Sequence, residues 1–245
     1  LGNKQAIASE IQKYFPEHRI YIEPFFGAGG MFFNKPKAKY NIVNDLDSDV
    51  FNLFMVVMNQ KDELEKAFYQ MPIHSDLLNY WKKNEETDPI KKALRFLFLS
   101  NITHLGLGEA IKCSVGNDKK ILLSEIDKTF DFLFEVKFIN EDFKRFIKKY
   151  ISFRGTYEQD SAFIYCDPPY LNTNDNYSNS FTEQDSIDLF NTLQETGCKW
   201  AMSEFDNPFI LQQAKERNLN VIIIGERKNL KNRRTEILIT NYEKQ

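Results

Sequence analysis

The run Phe163-Ile164-Tyr165-Cys166-Asp167-Pro168-Pro169-Tyr170 constrains this chain more than any other stretch. Four apolar residues in succession suit a short strand buried on both faces, and Asp167 falls where such a strand meets solvent at its carboxyl end. Open α/β sheets bind their ligands at that edge. The two prolines fix φ, remove two backbone donors and restrict the residues before them, so the turn is stiff. The Asp167 carboxylate and the Pro168 carbonyl then form a rigid pair of acceptors beside the ring of Tyr170. That device suits a planar group bearing an NH2. Read as a stacking face alone, Tyr170 is replaceable by phenylalanine. The plain alternative is an ordinary Asp-Pro turn, and the apolar strand before it and the aromatic ring after it weigh against that.

A chain of 245 residues holds one large α/β domain, or a core with a sizeable insertion. Its 42% hydrophobic and 27% charged content is that of a soluble globular protein, and no apolar run reaches membrane-spanning length, so no bilayer role is expected. Cys113, Cys166 and Cys198 lie far apart, as do His18, His74 and His104, which predicts neither a disulfide framework nor a metal site. The opening Leu1-Gly2-Asn3-Lys4 has no initiator Met and no basic-then-apolar leader, so the expectation is a cytoplasmic protein trimmed at its front. The net charge of −3 hides local basic patches: Lys144, Arg145, Lys148 and Lys149 on one segment, and Arg227, Lys228, Lys231, Arg233 and Arg234 on another.

Along the chain, a helix up to Tyr14 carries Lys4 at its start, and Arg19 to Phe25 reads as a first strand. That strand runs directly into Phe26-Gly27-Ala28-Gly29, the kind of turn at which glycine lets a nucleoside approach the backbone of a Rossmann-like sheet. Asp45 ends a second short strand, about where an acidic residue takes ribose hydroxyls. The dinucleotide pattern wants a third small residue where this chain has Phe32, which disfavours NAD and FAD but costs S-adenosylmethionine nothing, since that nucleoside has no pyrophosphate.

A helix from Asp47 to Asn59 follows, and then the β-α alternation stops. Residues 60–135 give helical segments and a loop-rich portion from Asn101 to Lys120, an inserted and mostly helical subdomain between 1–59 and 136–245. Alternation resumes with a strand at Val136 to Asn140 and a basic helix to Tyr150. Later come a polar run containing Tyr177, a helix capped by Thr182, and strands beginning at Lys199, Asn220 and Glu236. The basic run from Arg227 to Arg234 joins the last two strands, and so short a connection makes them antiparallel.

These residues together resemble the Dam-like, D12 class adenine-N6 DNA methyltransferases, whose signature is Asp/Asn/Ser-Pro-Pro-Tyr/Phe/Trp after a Phe-x-Gly-x-Gly turn. The resemblance covers most of the chain. It implies an α/β fold: a Rossmann-like class I methyltransferase sheet of seven strands, the last antiparallel, with a target-recognition insertion. It implies that Lys4 and the turn Glu23, Pro24, Phe25, Phe26, Gly27, Ala28 and Gly29 hold the methionine part of S-adenosylmethionine, that Asp45 takes the ribose, and that Asp142 and Phe143 contact the adenine ring. Asp167, Pro168 and Tyr170 correspond to the catalytic motif.

In the insertion, Asn101-Ile102-Thr103-His104-Leu105-Gly106-Leu107 keeps the frame of the family's Asn-x-Thr-x-Phe-Asn-Gly but loses the Phe-Asn pair and the following arginine. Asn101, Thr103, Tyr177 and the basic residues Arg227, Lys228, Lys231, Arg233 and Arg234 are the expected DNA contacts. The expected activity is site-specific methyl transfer to adenine N6 of a base flipped out of double-stranded DNA, by a monomer. Cytosine N4, also an exocyclic amine, is the chemical alternative, and an inactive DNA-binding relative is another. Cytosine C5 chemistry is disfavoured, since it needs an exposed thiolate and Cys166 sits on the buried strand.

Overall fold

The structure is a computed structural model that describes residues 4, 7–171, 181–228 and 233–243. In chain order it forms α1 (Ala8–Gln12), β1 (Ile20–Glu23), β2 (Tyr40–Asn44), α2 (Ser48–Asn59), α3 (Lys61–Gln70), α4 (Ser75–Lys83), α5 (Pro89–Leu97) and α6 (Val115–Leu133). There follow β3 (Val136–Ile139), α7 (Phe143–Tyr150), α8 (Tyr157–Ser161), β4 (Ala162–Cys166), α9 (Glu183–Thr196), β5 (Lys199–Phe205), α10 (Pro208–Glu216), β6 (Asn220–Lys228) and β7 (Arg233–Thr240). Two compact units result, one of residues 2–46 and 136–245 and the other of residues 47–135.

The first unit is a seven-stranded sheet in the order β3-β2-β1-β4-β5-β7-β6. β1 is parallel to β2 and β4, β2 to β3 and β4 to β5, whereas β7 is antiparallel to both β5 and β6. The chain therefore winds outward from β1 through β2 to β3 and returns to place β4 on the other side of β1. Strand order reverses between β1 and β4, and ligands of open α/β sheets bind outside the carboxyl ends at such a point.

Every residue of β1 and of β4 is buried, the pattern of parallel strands covered on both faces. α7 turns Phe143, Phe146 and Ile147 to the core. Its buried residues pack with Ile164, Leu189, Phe190, Leu193, Trp200 and Met202, each such side chain contributing about 1.5–3 kcal/mol on burial. α9 starts with a capping box, in which Thr182 and Asp185 each accept from the other's backbone, and ends at Gly197 with φ +70°. β6 and β7 are longer than expected. Pairing continues through Arg227 opposite Arg234 and Lys228 opposite Arg233, so most of the basic run extends the strands rather than joining them.

In the helical unit, Asp47 caps α2 by accepting from the N–H groups of Asp49 and Val50. Sequence pattern assigns this helix to the sheet unit, with a boundary after Asn59. The structure moves the boundary to Asp47, because Val56 and Val57 are buried among Leu64, Phe68, Trp81, Leu94 and Phe98. The last six residues of the expected loop around 101–120 are helical, since α6 starts at Val115. Ile126 and Leu133 are buried along one stripe with half-buried Leu122 and Phe130, and that spacing outweighs the turn-like Gly116-Asn117 at its start.

Candidate active site

The glycine turn leaves β1 and the Asp-Pro-Pro-Tyr turn leaves β4, so the two motifs emerge from adjacent parallel strands at the same sheet edge. Gly27 (φ +52°) and Gly29 (φ +71°) adopt a backbone conformation that side chains resist. A Cβ on Gly29 would lie 2.3 Å from Cε2 of Phe33, whereas one on Gly27 would meet nothing within 4 Å. The backbone at Gly27 is thus open to the close approach of a ligand, which fits the nucleoside cofactor that the turn implies. The Gly27 N–H donates to Oδ2 of Asp45 at 2.5 Å, fixing the acidic residue beside the turn. Phe26 is buried and Phe25 half-buried.

Asn44, which sequence reasoning passes over, binds three strand ends together. Its Nδ2 donates to the carbonyls of Pro24 and Glu141 at 3.0 Å each, and its Oδ1 accepts from the Glu141 N–H at 3.0 Å. Asp142 follows at the start of α7, where its carboxylate accepts from the Lys144 N–H at 2.9 Å. The ring of Phe143 is buried with its centroid 5.4 Å from that of Phe25. The one sequence signal for Asn44 is an amide completing β2 just before Asp45.

At the β4 end, Asp167 is 21% exposed and Pro168 is buried. Lys4 Nζ lies 3.3 Å from Oδ1 of Asp167 and 4.5 Å from the centroid of Tyr170, and it is hydrogen-bonded to Oε1 of Glu236. The Tyr170 hydroxyl donates to the same Glu236 oxygen at 2.5 Å, and the ring meets Phe205 edge-on at 4.5 Å. Tyr170 is therefore held by its hydroxyl as well as by its ring, and phenylalanine does not replace it fully. Glu236, buried on β7 opposite Phe205, also escapes sequence reasoning. A carboxylate inside the apolar run Glu236-Ile237-Leu238-Ile239 is its sequence signal.

Acidic groups crowd this edge. Burial pushes the Glu23 carboxyl well above the usual range, opposed by a 2.8 Å bond from the Tyr21 hydroxyl and reinforced by the charges of Asp167 and Asp45. Burial likewise moves Glu204, at the end of β5, to about 8, against hydrogen bonds from the N–H groups of Phe205 and Leu171. Burial raises the Cys166 thiol well above its ordinary value, which suits a packing residue and not a thiolate nucleophile. A cleft of about 770 Å³, lined by His18, Arg19 and Lys35 among others, opens instead where β1 begins.

The other expected contacts are more dispersed. Thr103 is buried, its hydroxyl donating to the Leu99 carbonyl at 2.6 Å and accepting from the Gly108 N–H at 2.9 Å, so it holds its own loop. Asn101 Nδ2 is turned inward to the Leu97 carbonyl at 3.3 Å and the Ser100 hydroxyl at 2.8 Å. The loop they anchor carries exposed Leu105 and Leu107. The guanidinium of Arg234 lies 5.2 Å from the Phe205 ring centroid. Arg227, Lys228 and Arg233 stand at the paired end of the β6–β7 hairpin, and Lys231 and Tyr177 lie outside the described residues.

An open glycine turn and a proline-stiffened carboxylate, side by side where a parallel sheet reverses its strand order, are what a Rossmann-like methyltransferase requires. The sheet carries the antiparallel β7 that the sequence resemblance implies. Comparison makes the class specific: the chain belongs to the family of D12 class N6 adenine-specific DNA methyltransferases, whose model matches residues 1–235. It is 29% identical over 206 residues to a DNA adenine methylase of Escherichia coli strain K12, a match covering 77% of this chain and 71% of that protein. It is 25% identical over 276 residues to the type II methyltransferase M1.LlaDCHI of Lactococcus lactis subsp. cremoris, covering 98% and 93%. Among solved structures, SMU.1697c from Streptococcus mutans in complex with SAH matches with a TM-score of 0.44 and 12% identity over 98% of each chain. The chain is thus an adenine-specific DNA methyltransferase, with S-adenosylmethionine as its methyl donor. No helix among the described residues is long and apolar enough to cross a membrane.

Proposed function

We propose that the Asp167 corner is where the target adenine is seated, flipped out of double-stranded DNA, and that the glycine turn beside it holds the cofactor. The adjacency of the β1 and β4 turns at the reversal of strand order carries this reading. In a duplex the N6 amine is paired and out of reach, and extruding the base costs a few kcal/mol. Stacking on Tyr170 offsets about 1–3 kcal/mol of that. The Asp167 carboxylate and the Pro168 carbonyl accept the two N6 hydrogens, which draws the nitrogen lone pair out of ring conjugation. When bound, S-adenosylmethionine supplies an electrophilic methyl group on a sulfonium. Asp167 then stabilises positive charge as it develops on nitrogen, and the proton leaves after the new N–C bond has formed, so no strong base is needed.

For the cofactor we assign Lys4, the turn from Glu23 to Gly29, Asp45, Asp142 and Phe143. Reading of the target sequence falls to the helical insertion, and the exposed Leu105 and Leu107 favour its 101–111 loop. The β6–β7 hairpin, with Arg227, Lys228, Lys231, Arg233 and Arg234, takes phosphates. The protein acts as a monomer, alone or beside a restriction enzyme. Asp167→Ala tests the assignment: methyl transfer should vanish while calorimetry still detects cofactor binding, and an active Asp167→Ala protein refutes it.

A further inference from the structure

One residue at this corner has no assigned part in the reaction. Glu236 is 2% exposed on the antiparallel strand β7, and one of its oxygens takes both the Tyr170 hydroxyl and the Lys4 ammonium. Lys4 in turn stands 3.3 Å from Asp167. A buried carboxylate is costly without a cation and hydrogen-bond donors, and Glu236 has both from residues of the proposed site. We propose that Glu236 is a positioning residue: by holding the Lys4 ammonium and the Tyr170 hydroxyl, it leaves the Asp167 carboxylate to the substrate amine and sets the plane of the ring on which the base stacks. The proposal rests on the assignment of the Asp167 corner as the amine's seat.

Two carboxylates compete for one cation. Asp167 and Glu236 both attract the Lys4 ammonium, and an incoming amine needs the acceptor oxygens of Asp167. With Glu236 charged, Lys4 keeps a full partner when the amine arrives. With a neutral amide there, the pull of Asp167 on Lys4 is no longer balanced, and the amine must displace the ammonium. Tyr170 is a separate matter, because the oxygen of an amide still accepts from its hydroxyl.

Glu236→Gln and Glu236→Ala separate the two roles. In Glu236→Gln, a 2-aminopurine base in the target position should keep its fluorescence rise, the cofactor Kd should stay within about threefold, and the single-turnover methylation rate should fall by about tenfold or more. In Glu236→Ala the fluorescence rise should be lost as well. The same Gln substitution made in a Lys4→Met background should cost less than about threefold, since the competing ammonium is gone. A Glu236→Gln enzyme with wild-type rate, or one whose loss is the same with and without Lys4, overturns the proposal. Should Glu236→Ala fail to fold, the Gln and Lys4→Met cycle decides alone. Asp167→Ala run in parallel distinguishes the two levels. If it is active, the site assignment falls, and if it is dead while Glu236→Gln is normal, only the role of Glu236 falls.

Discussion

Replacing Tyr170 by phenylalanine isolates one hydroxyl. The ring keeps its edge contact with Phe205, at 4.5 Å between centroids, so the apolar packing of the side chain is retained. What disappears is the 2.5 Å donor to Glu236, leaving that buried carboxylate with one partner fewer. Hydrogen bonds to charged groups contribute about 1.5–3 kcal/mol, and an unsatisfied buried acceptor costs a similar amount. In a chain of this length each kcal/mol moves the melting temperature by about 2–4 °C, so Tyr170→Phe should melt about 3–12 °C lower than the native protein. Differential scanning calorimetry reads this directly, and the shift should vanish in a Glu236→Ala background. A Tyr170→Phe protein melting within about 1 °C of the parent would show that the hydroxyl carries no structural load, and the reasoning about Glu236 would lose its first leg.

Other perturbations test separate parts. At Gly29 an added Cβ meets Phe33 at 2.3 Å on a φ +71° backbone, so Gly29→Ala should lose about 1–3 kcal/mol of stability together with cofactor affinity. At Gly27 the space is open, so Gly27→Ala should melt nearer to wild type yet still bind cofactor weakly by calorimetry. Glu204 has its carboxyl moved from 4.5 to about 8, so the unfolded chain releases this proton first as pH rises. Stability should fall between those two values and level off above, by as much as about 5 kcal/mol, and Glu204→Gln should flatten that slope in urea titrations. Neutralising Arg227, Lys228 and Arg233 should reduce the salt dependence of DNA binding by about 0.9 for each phosphate left without its cation, and an unchanged slope would mean a merely solvated hairpin end.

The fold was legible because its signals are local. Apolar runs at Phe163 to Cys166 and Asn220 to Gly225, a strand ending in Gly-x-Gly, and a connection too short for a crossover suffice to predict a parallel sheet closed by an antiparallel hairpin. The boundary at Asp47 was not legible, because α2 has the same amphipathic spacing whichever core receives its Val56 and Val57. Of the site, Asp167 and the glycine turn announce themselves by rigid or permissive backbone chemistry. At Thr103 the family frame gives a residue type and not the loop bonds that its hydroxyl makes in the fold. Glu236 and Asn44 act through pairings with Lys4, Tyr170, Pro24 and Glu141 that only the folded sheet brings about. A polar side chain inside an apolar strand is the one trace they leave.

Lys4 and Glu236 stand 232 residues apart, and β7 must slot between β5 and β6 before they meet. During synthesis the ribosome therefore delivers both signature turns well before it delivers the carboxylate that pairs with Lys4. Nascent chains halted ahead of Arg233 would display every motif a reader recognises and still lack that clasp.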